Sequence, residues 1–193
     1  MLQGRANAIR LLRNKLKVMQ KFEFTFLTIE TAKILRQHYA TQVGDFKRAQ
    51  IYDDLTESCL SIYVIETRVE GGYQQLMSHY VRHRVSNQVI IDLCDEIVQK
   101  IPTQLPQNAS TNLIFKWYMI FIVRDMHKHN FEAAKSKCKE AVEWLTQKNF
   151  VDRTALTAIY FQWSTCHLKT NDLKTSKQLM DEVLAFLCPG EFN

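Results

Sequence analysis

Along almost the whole chain, apolar residues return at intervals of three and four, the spacing that gathers them on one face of an α-helix. From Arg5 to about Phe22 the stripe is Ile9, Leu12, Leu16 and Met19, widened by Leu11 and Val18. A second helix is predicted from Thr25 to Tyr39 on Phe26, Ile29, Ile34 and Leu35. Gly44 ends the connection and Asp45 caps a third helix through Leu55 and Cys59. Its pattern continues through Ile62, Tyr63 and Ile65, and Gly71-Gly72 allow a break before a helix over Tyr73 to Arg84. Asn87 or Ser86 caps the next helix, apolar at Ile90, Ile91, Leu93, Cys94, Ile97, Val98 and Ile101. Pro102 to Ser110, with a second proline at Pro106, reads as a loop. Leu113 to Val123 then carries one charge, Lys116, in eleven residues, too few for a bilayer span of about 20 and apolar on nearly every side. Such a segment must be covered all round. Helices over Asn130 to Leu145, Arg153 to Lys169 and Asp172 to Leu187 complete the pattern, which Pro189-Gly190 end.

Three helix openings are alike: Asp45-Phe46-x-x-Ala49, Asn130-Phe131-x-x-Ala134 and Asp172-Leu173-x-x-Ser176. Each places a capping side chain first, a large apolar residue next, and a small residue that permits close helix approach four positions on. The second and third openings lie 42 residues apart and the first and second 85, close to twice that. A further copy is therefore expected near Asn87, and another near Gln3. Four to five antiparallel helical hairpins result, with a period in the range of solenoids.

Residues 111 to 187 resemble the tetratricopeptide-like (TPR-like) α-helical repeat superfamily. Asn130-Phe131-Glu132-Ala133-Ala134 looks like the opening of a second helix of such a repeat, and Tyr160-Phe161-Gln162-Trp163 with Asn171-Asp172-Leu173 like a first helix and its turn. The chain departs from the standard unit, which has about 34 residues and its own Trp/Leu-Gly/Tyr/Ala/Pro signature. Its longer hairpins are more similar to the irregular repeats of proteasome-lid-type subunits or of the cohesin-loader scaffold subunit. The resemblance implies an all-α superhelix, a TPR-like solenoid, that scaffolds proteins along a concave groove. The expected organisation is a single helical-repeat domain over 1–193, jointed at 102–110 between parts at 1–101 and 111–188.

Composition agrees: 46% apolar, 23% charged, and only five glycines and three prolines. β-rich folds need more turn residues than that. Cys59, Cys94, Cys138, Cys166 and Cys188 are odd in number and never spaced as Cys-x-x-Cys, so neither a disulfide framework nor a zinc site is expected. With no secretory segment and no span, the expected location is cytoplasmic or nuclear, with mitochondrial import ranked behind. The net charge of +5 is local, since residues 1–22 hold six basic residues and no acid. The remainder, nineteen basic and twenty acidic residues, is nearly neutral.

Candidate chemistry is sparse. His79 and His83 lie one helical turn apart, but Arg82 and Arg84 beside them repel a cation and no third ligand is spaced to help. His127-Lys128-His129 reads as a connector. No Gly-x-Ser-x-Gly elbow, catalytic cysteine signature or phosphate loop occurs. Asp53-Asp54, Asp95-Glu96 and Asp181-Glu182 read as solvated faces, since adjacent residues point about 100° apart on a helix. The expectation is therefore no enzyme, no metal and no cofactor, but a scaffold or complex subunit that binds a protein partner, either an extended peptide or another helical subunit. Two surfaces are candidates: a basic N-terminal face of Arg5, Arg10, Arg13, Lys17 and Lys21, and an apolar C-terminal end of Val183, Leu184, Phe186 and Leu187. That end lacks the polar cap that solenoids require, so it is expected to be covered by another chain, by a second copy in a homodimer, or by further sequence. No membrane contact is expected. The alternative function is nucleic-acid binding through the basic first helix.

Overall fold

A computed structural model describes residues 2–82, 86–148 and 151–186. They form α1 (Leu2–Lys21), α2 (Thr25–His38), a π-helical turn at Tyr39–Val43, α3 (Phe46–Arg82), α4 (Asn87–Lys100), α5 (Thr111–His127), α6 (Phe131–Thr146), α7 (Arg153–Lys169) and α8 (Leu173–Phe186). No strand occurs among the described residues, and the fold class is all-α. The step from α5 to α7 and from α6 to α8 is 42 residues in both cases, the period expected from the openings.

The turns show why these openings recur. Glu23, Gly44, His129 and Asn171 all adopt left-handed backbone, with φ of 57°, 72°, 58° and 62°. After three of them the next N–H reaches back five residues: Phe24 to the Met19 carbonyl at 2.9 Å, Asn130 to Asp125 at 2.8 Å and Asp172 to His167 at 2.9 Å. This closure satisfies carbonyls that a helix end leaves open. At the fourth turn Asp45 N–H reaches back six residues, to the Tyr39 carbonyl at 2.9 Å. One extra residue is absorbed there, as the π-helical turn.

The expected caps then start the following helices. Asp45 Oδ1 accepts from Arg48 N–H at 3.0 Å, Asn130 Oδ1 from Ala133 at 3.4 Å and Asp172 Oδ1 from Thr175 at 3.1 Å. Ser110 and Asp152 cap α5 and α7 in the same way, at 3.2 and 3.0 Å. The small residues Ala49, Ala134 and Ser176 are all buried. Ser176 also bonds through its hydroxyl to Ser164 of α7, at 2.9 Å. By contrast, Phe46 and Leu173, each next to its cap, face solvent.

One expectation is corrected. The helix does not break at Gly71-Gly72; α3 runs unbroken through both. A Cβ on Gly72 would lie 2.5 Å from Ile97 Cγ2 of α4, so this glycine serves a close helix crossing. Its cost in helix propensity, about 1 kcal/mol, is offset by that approach.

Contacts divide the chain into two compact units, Met1–Glu66 and Thr67–Asn193. In the first, α1 packs on α2, and α2 runs antiparallel to α3 through Thr25–Glu66, Phe26–Tyr63 and Arg36–Asp53, with Tyr39 of the π-helical turn stacked on Tyr52. In the second, consecutive helices from α4 to α8 pack on one another, and α5 also touches α7. The end of α3 runs parallel to α5, as Glu70–Lys116, Tyr73–Phe115 and Tyr80–His127 show, each pair 42 to 47 residues apart. The Pro102–Ser110 loop lies inside this unit, tied to α5 by Trp117 Nε1 donating to the Pro102 carbonyl at 2.9 Å.

The centre of the second unit is α5, whose Leu113, Ile114, Ile120 and Ile122 are almost wholly buried. Each contributes about 1.5–3 kcal/mol of transfer free energy. The lone charge of its Leu113–Val123 run is covered as well: Lys116 pairs with Glu70 and lies 5.8 Å from the Tyr73 ring. Burial raises the Glu70 pKa, but bonds from Lys116 and Gln74 outweigh that and hold it below the usual carboxylate range. Ala134, Cys138, Ala141 and Leu145 make a fully buried seam on α6, which packs against both α5 and α7.

Candidate functional site

The end of α3, together with α5 and α7, brings side chains together on one face of the second unit. Met77 and Tyr80 from α3, Met119, Val123, Met126 and His127 from α5, and Gln162 from α7 line a depression of about 450 Å³. A second depression, of about 260 Å³, shares Met126 and His127 and adds Asn87, His129, Phe131 and Lys169. The two adjoin at Met126 and His127, and the larger is a groove across α3, α5 and α7. Three methionines give it a soft, polarisable wall that repacks around different apolar shapes.

His127 forms the junction. Its Nε2 bonds the Tyr80 hydroxyl and its Nδ1 lies 3.2 Å from Asn87 Oδ1. One tautomer satisfies both contacts: Tyr80 O–H donates to Nε2, and Nδ1–H donates to Asn87. Burial, then the neighbouring His129, lowers the His127 pKa. Burial, then Cys94, pushes Tyr80 up to about 12. Both side chains are thus neutral at pH 7 and fully used in hydrogen bonding. The groove offers apolar surface beside this uncharged Tyr80–His127 pair. Lys169 is the charged residue in the lining of the smaller depression, and Lys128 pairs with Asp95 at 2.7 Å.

The first unit holds a different cleft, of about 690 Å³, between α2 and α3 beside the π-helical turn. Its charges are paired internally, Arg36 with Asp53 and Lys33 with Glu30 at 2.9 Å. Phe46 at its edge is 74% exposed.

The residues expected from sequence are placed as follows. Arg10, Arg13, Lys17 and Lys21 project to solvent from α1. The Lys21 ammonium stands 5.5 Å over the Phe22 ring. At the other end Val183 is buried at 5% exposure, whereas Leu184 is 62% exposed. The side chains of Arg5 and Phe186, and the whole of Leu187, lie outside the described residues, as does His83. Sequence reasoning missed Phe161 and Leu168, an exposed i, i+7 pair on α7. It also read His127 only as a connector. The spacing of Met119, Val123 and Met126 on α5 was its available signal, but on a helix apolar all round a groove wall and a core face look the same.

Comparison with protein-family models, with curated proteins and with solved structures finds no match.

Proposed function

We propose that this chain is a non-enzymatic interaction scaffold of TPR-like architecture, whose groove along α3, α5 and α7 receives an apolar extended or helical segment of a protein partner. The observation that carries this reading is the methionine-lined groove itself, built from the end of α3 with α5 and α7. Repeat proteins bind through extended surface of this kind. The larger depression, lined by the neutral Tyr80–His127 pair and by no Lys, Arg, Asp or Glu, supports an apolar occupant, because a charged one would be desolvated there without a counter-charge. The exposed Phe161, Leu168 and Leu184 at the α7–α8 end support a second contact, with another hairpin or subunit.

A photo-crosslinking residue at Tyr80, compared with one at exposed Gln178 on α8, tests the groove in the native cell. A discrete protein adduct from position 80 and none from position 178 is expected. No adduct from position 80, or the same adducts from both, overturns the reading.

A further inference from the structure

Thirteen of the twenty large apolar side chains exposed among the described residues belong to Met1–Glu66. Some of them form a pattern. On α1 the inward stripe buries Leu16 and half-buries Ile9, Leu12 and Met19. A second stripe, Leu11, Val18 and Phe22 at i, i+7 and i+11, points to solvent, with Leu11 57% exposed. The cationic stripe Arg10, Arg13, Lys17 and Lys21 runs alongside, offset by one residue or about 100°. No ion pair engages these four cations among the described residues. The apolar stripe continues into the turn between α1 and α2, where Phe24 is 51% exposed and its ring centroid lies 6.3 Å from that of Phe22. At the start of α2, Phe26 and Leu27 are exposed as well, with the Phe26 ring 5.8 Å from the Tyr63 ring of α3.

We infer that this face of α1, together with the α1–α2 turn, docks the chain onto an anionic lipid surface. The inference stands on the first unit alone and goes beyond the protein groove. Charge complementarity selects the occupant, because α1 has basic residues and no acid. The acids near the turn are Glu23 and Glu66, both half-buried, and Thr25 Oγ1 donates to Glu66 at 3.1 Å. The aliphatic groups separate lipid from nucleic acid: Leu11, Val18 and Leu27 neither stack on bases nor contact phosphate. A bilayer interface takes both kinds of side chain, cations at the headgroups and phenyl or aliphatic groups at the acyl boundary. It also accepts a projecting turn, whereas a peptide needs a groove to lie in. That no described helix is long and apolar enough to cross a membrane leaves surface docking open.

The test is sedimentation of the full chain with vesicles of phosphatidylcholine alone and of phosphatidylcholine mixed with phosphatidylserine, at low and high salt. Binding to the anionic vesicles only, weakened by salt, is expected. Each cation removed in Arg10→Gln, Arg13→Gln, Lys17→Gln and Lys21→Gln should lower partitioning about fivefold. Phe24→Ser with Leu27→Gln should weaken it while leaving the helical circular dichroism unchanged. No partitioning of the parent chain, or equal partitioning of parent and quadruple variant, overturns the proposal. Salt-sensitive capture of RNA or of an acidic peptide without vesicle binding overturns it as well.

Discussion

Gly72 of α3 and Ile97 of α4 meet so closely that the space for a single methyl group is already taken, a Cβ at position 72 falling 2.5 Å from Ile97 Cγ2. Ile97 is buried and β-branched, so Cγ2 cannot swing away without moving the core. Gly72→Ala should therefore destabilise the protein by about 1–3 kcal/mol through overpacking. Gly71 has open space around its Cβ position, and Gly71→Ala should stabilise by about 0.4–1 kcal/mol. Urea unfolding of the two variants should give shifts of opposite sign. Equal shifts would show that propensity, and not the crossing, decides this part of α3.

The left-handed turn residues make a second matched set. His129 carries φ of 58° with a Cβ, where Gly44 meets the same demand at 72° without one. Left-handed backbone costs most side chains about 1–2 kcal/mol, and asparagine less. His129→Gly should therefore raise stability by about 0.5–1 kcal/mol, and Gly44→Ala should lower it by about 1–2 kcal/mol. Asn171→Gly should change it least of the three. Thermal unfolding midpoints would check the order.

These positions mark where the sequence was legible and where it was not. Asp45, Asn130 and Asp172 could be read as caps because a cap is a local hydrogen bond between neighbours in the chain. Ala49, Ala134 and Ser176 could be read as close-approach positions because their spacing from those caps repeats. Gly71-Gly72 could not, because a helical glycine that breaks and one that admits a neighbour differ only in what stands opposite, and Ile97 is distant in sequence. The π-helical turn was equally hidden: one extra residue before Gly44 leaves no mark in apolar spacing. The basic residues of α1 were visible as a stripe, but the exposure of Leu11 and Val18 beside them was not, since the same residues serve to widen a core face. The groove lay beyond reach for that reason too. Met126 and His127 gain their surroundings from Tyr80 and Asn87, which lie more than thirty residues earlier.

The small-residue seam on α6 predicts a sharp contrast between neighbouring positions. Ala141 is fully buried in the helix that packs on both α5 and α7, and Lys139 faces solvent. Ala141→Leu should cost about 1–3 kcal/mol by forcing those helices apart. Lys139→Leu should stay within about 0.5 kcal/mol of the parent. Hydrogen exchange of α5 amides would show the first change as lost protection, and a parent-like pattern in Ala141→Leu would mean that the seam is not tightly packed.

The groove's histidine gives stability a pH dependence whose sign follows from its surroundings. Burial, then His129, lowers the folded-state pKa of His127 below its ordinary value of 6.5. The unfolded chain then binds more protons than the folded one as pH falls through that interval, so the contribution is complete above the unfolded pKa and is lost towards the folded one. Protonation would also turn Nε2 from an acceptor into a donor and remove its bond with the Tyr80 hydroxyl proton. Unfolding free energy should therefore decline between about pH 7 and pH 5, where unperturbed histidine titrates. The same titration of His127→Gln should be flatter by one proton's share. If parent and variant show the same slope through this range, His127 is not the group that couples the groove to pH.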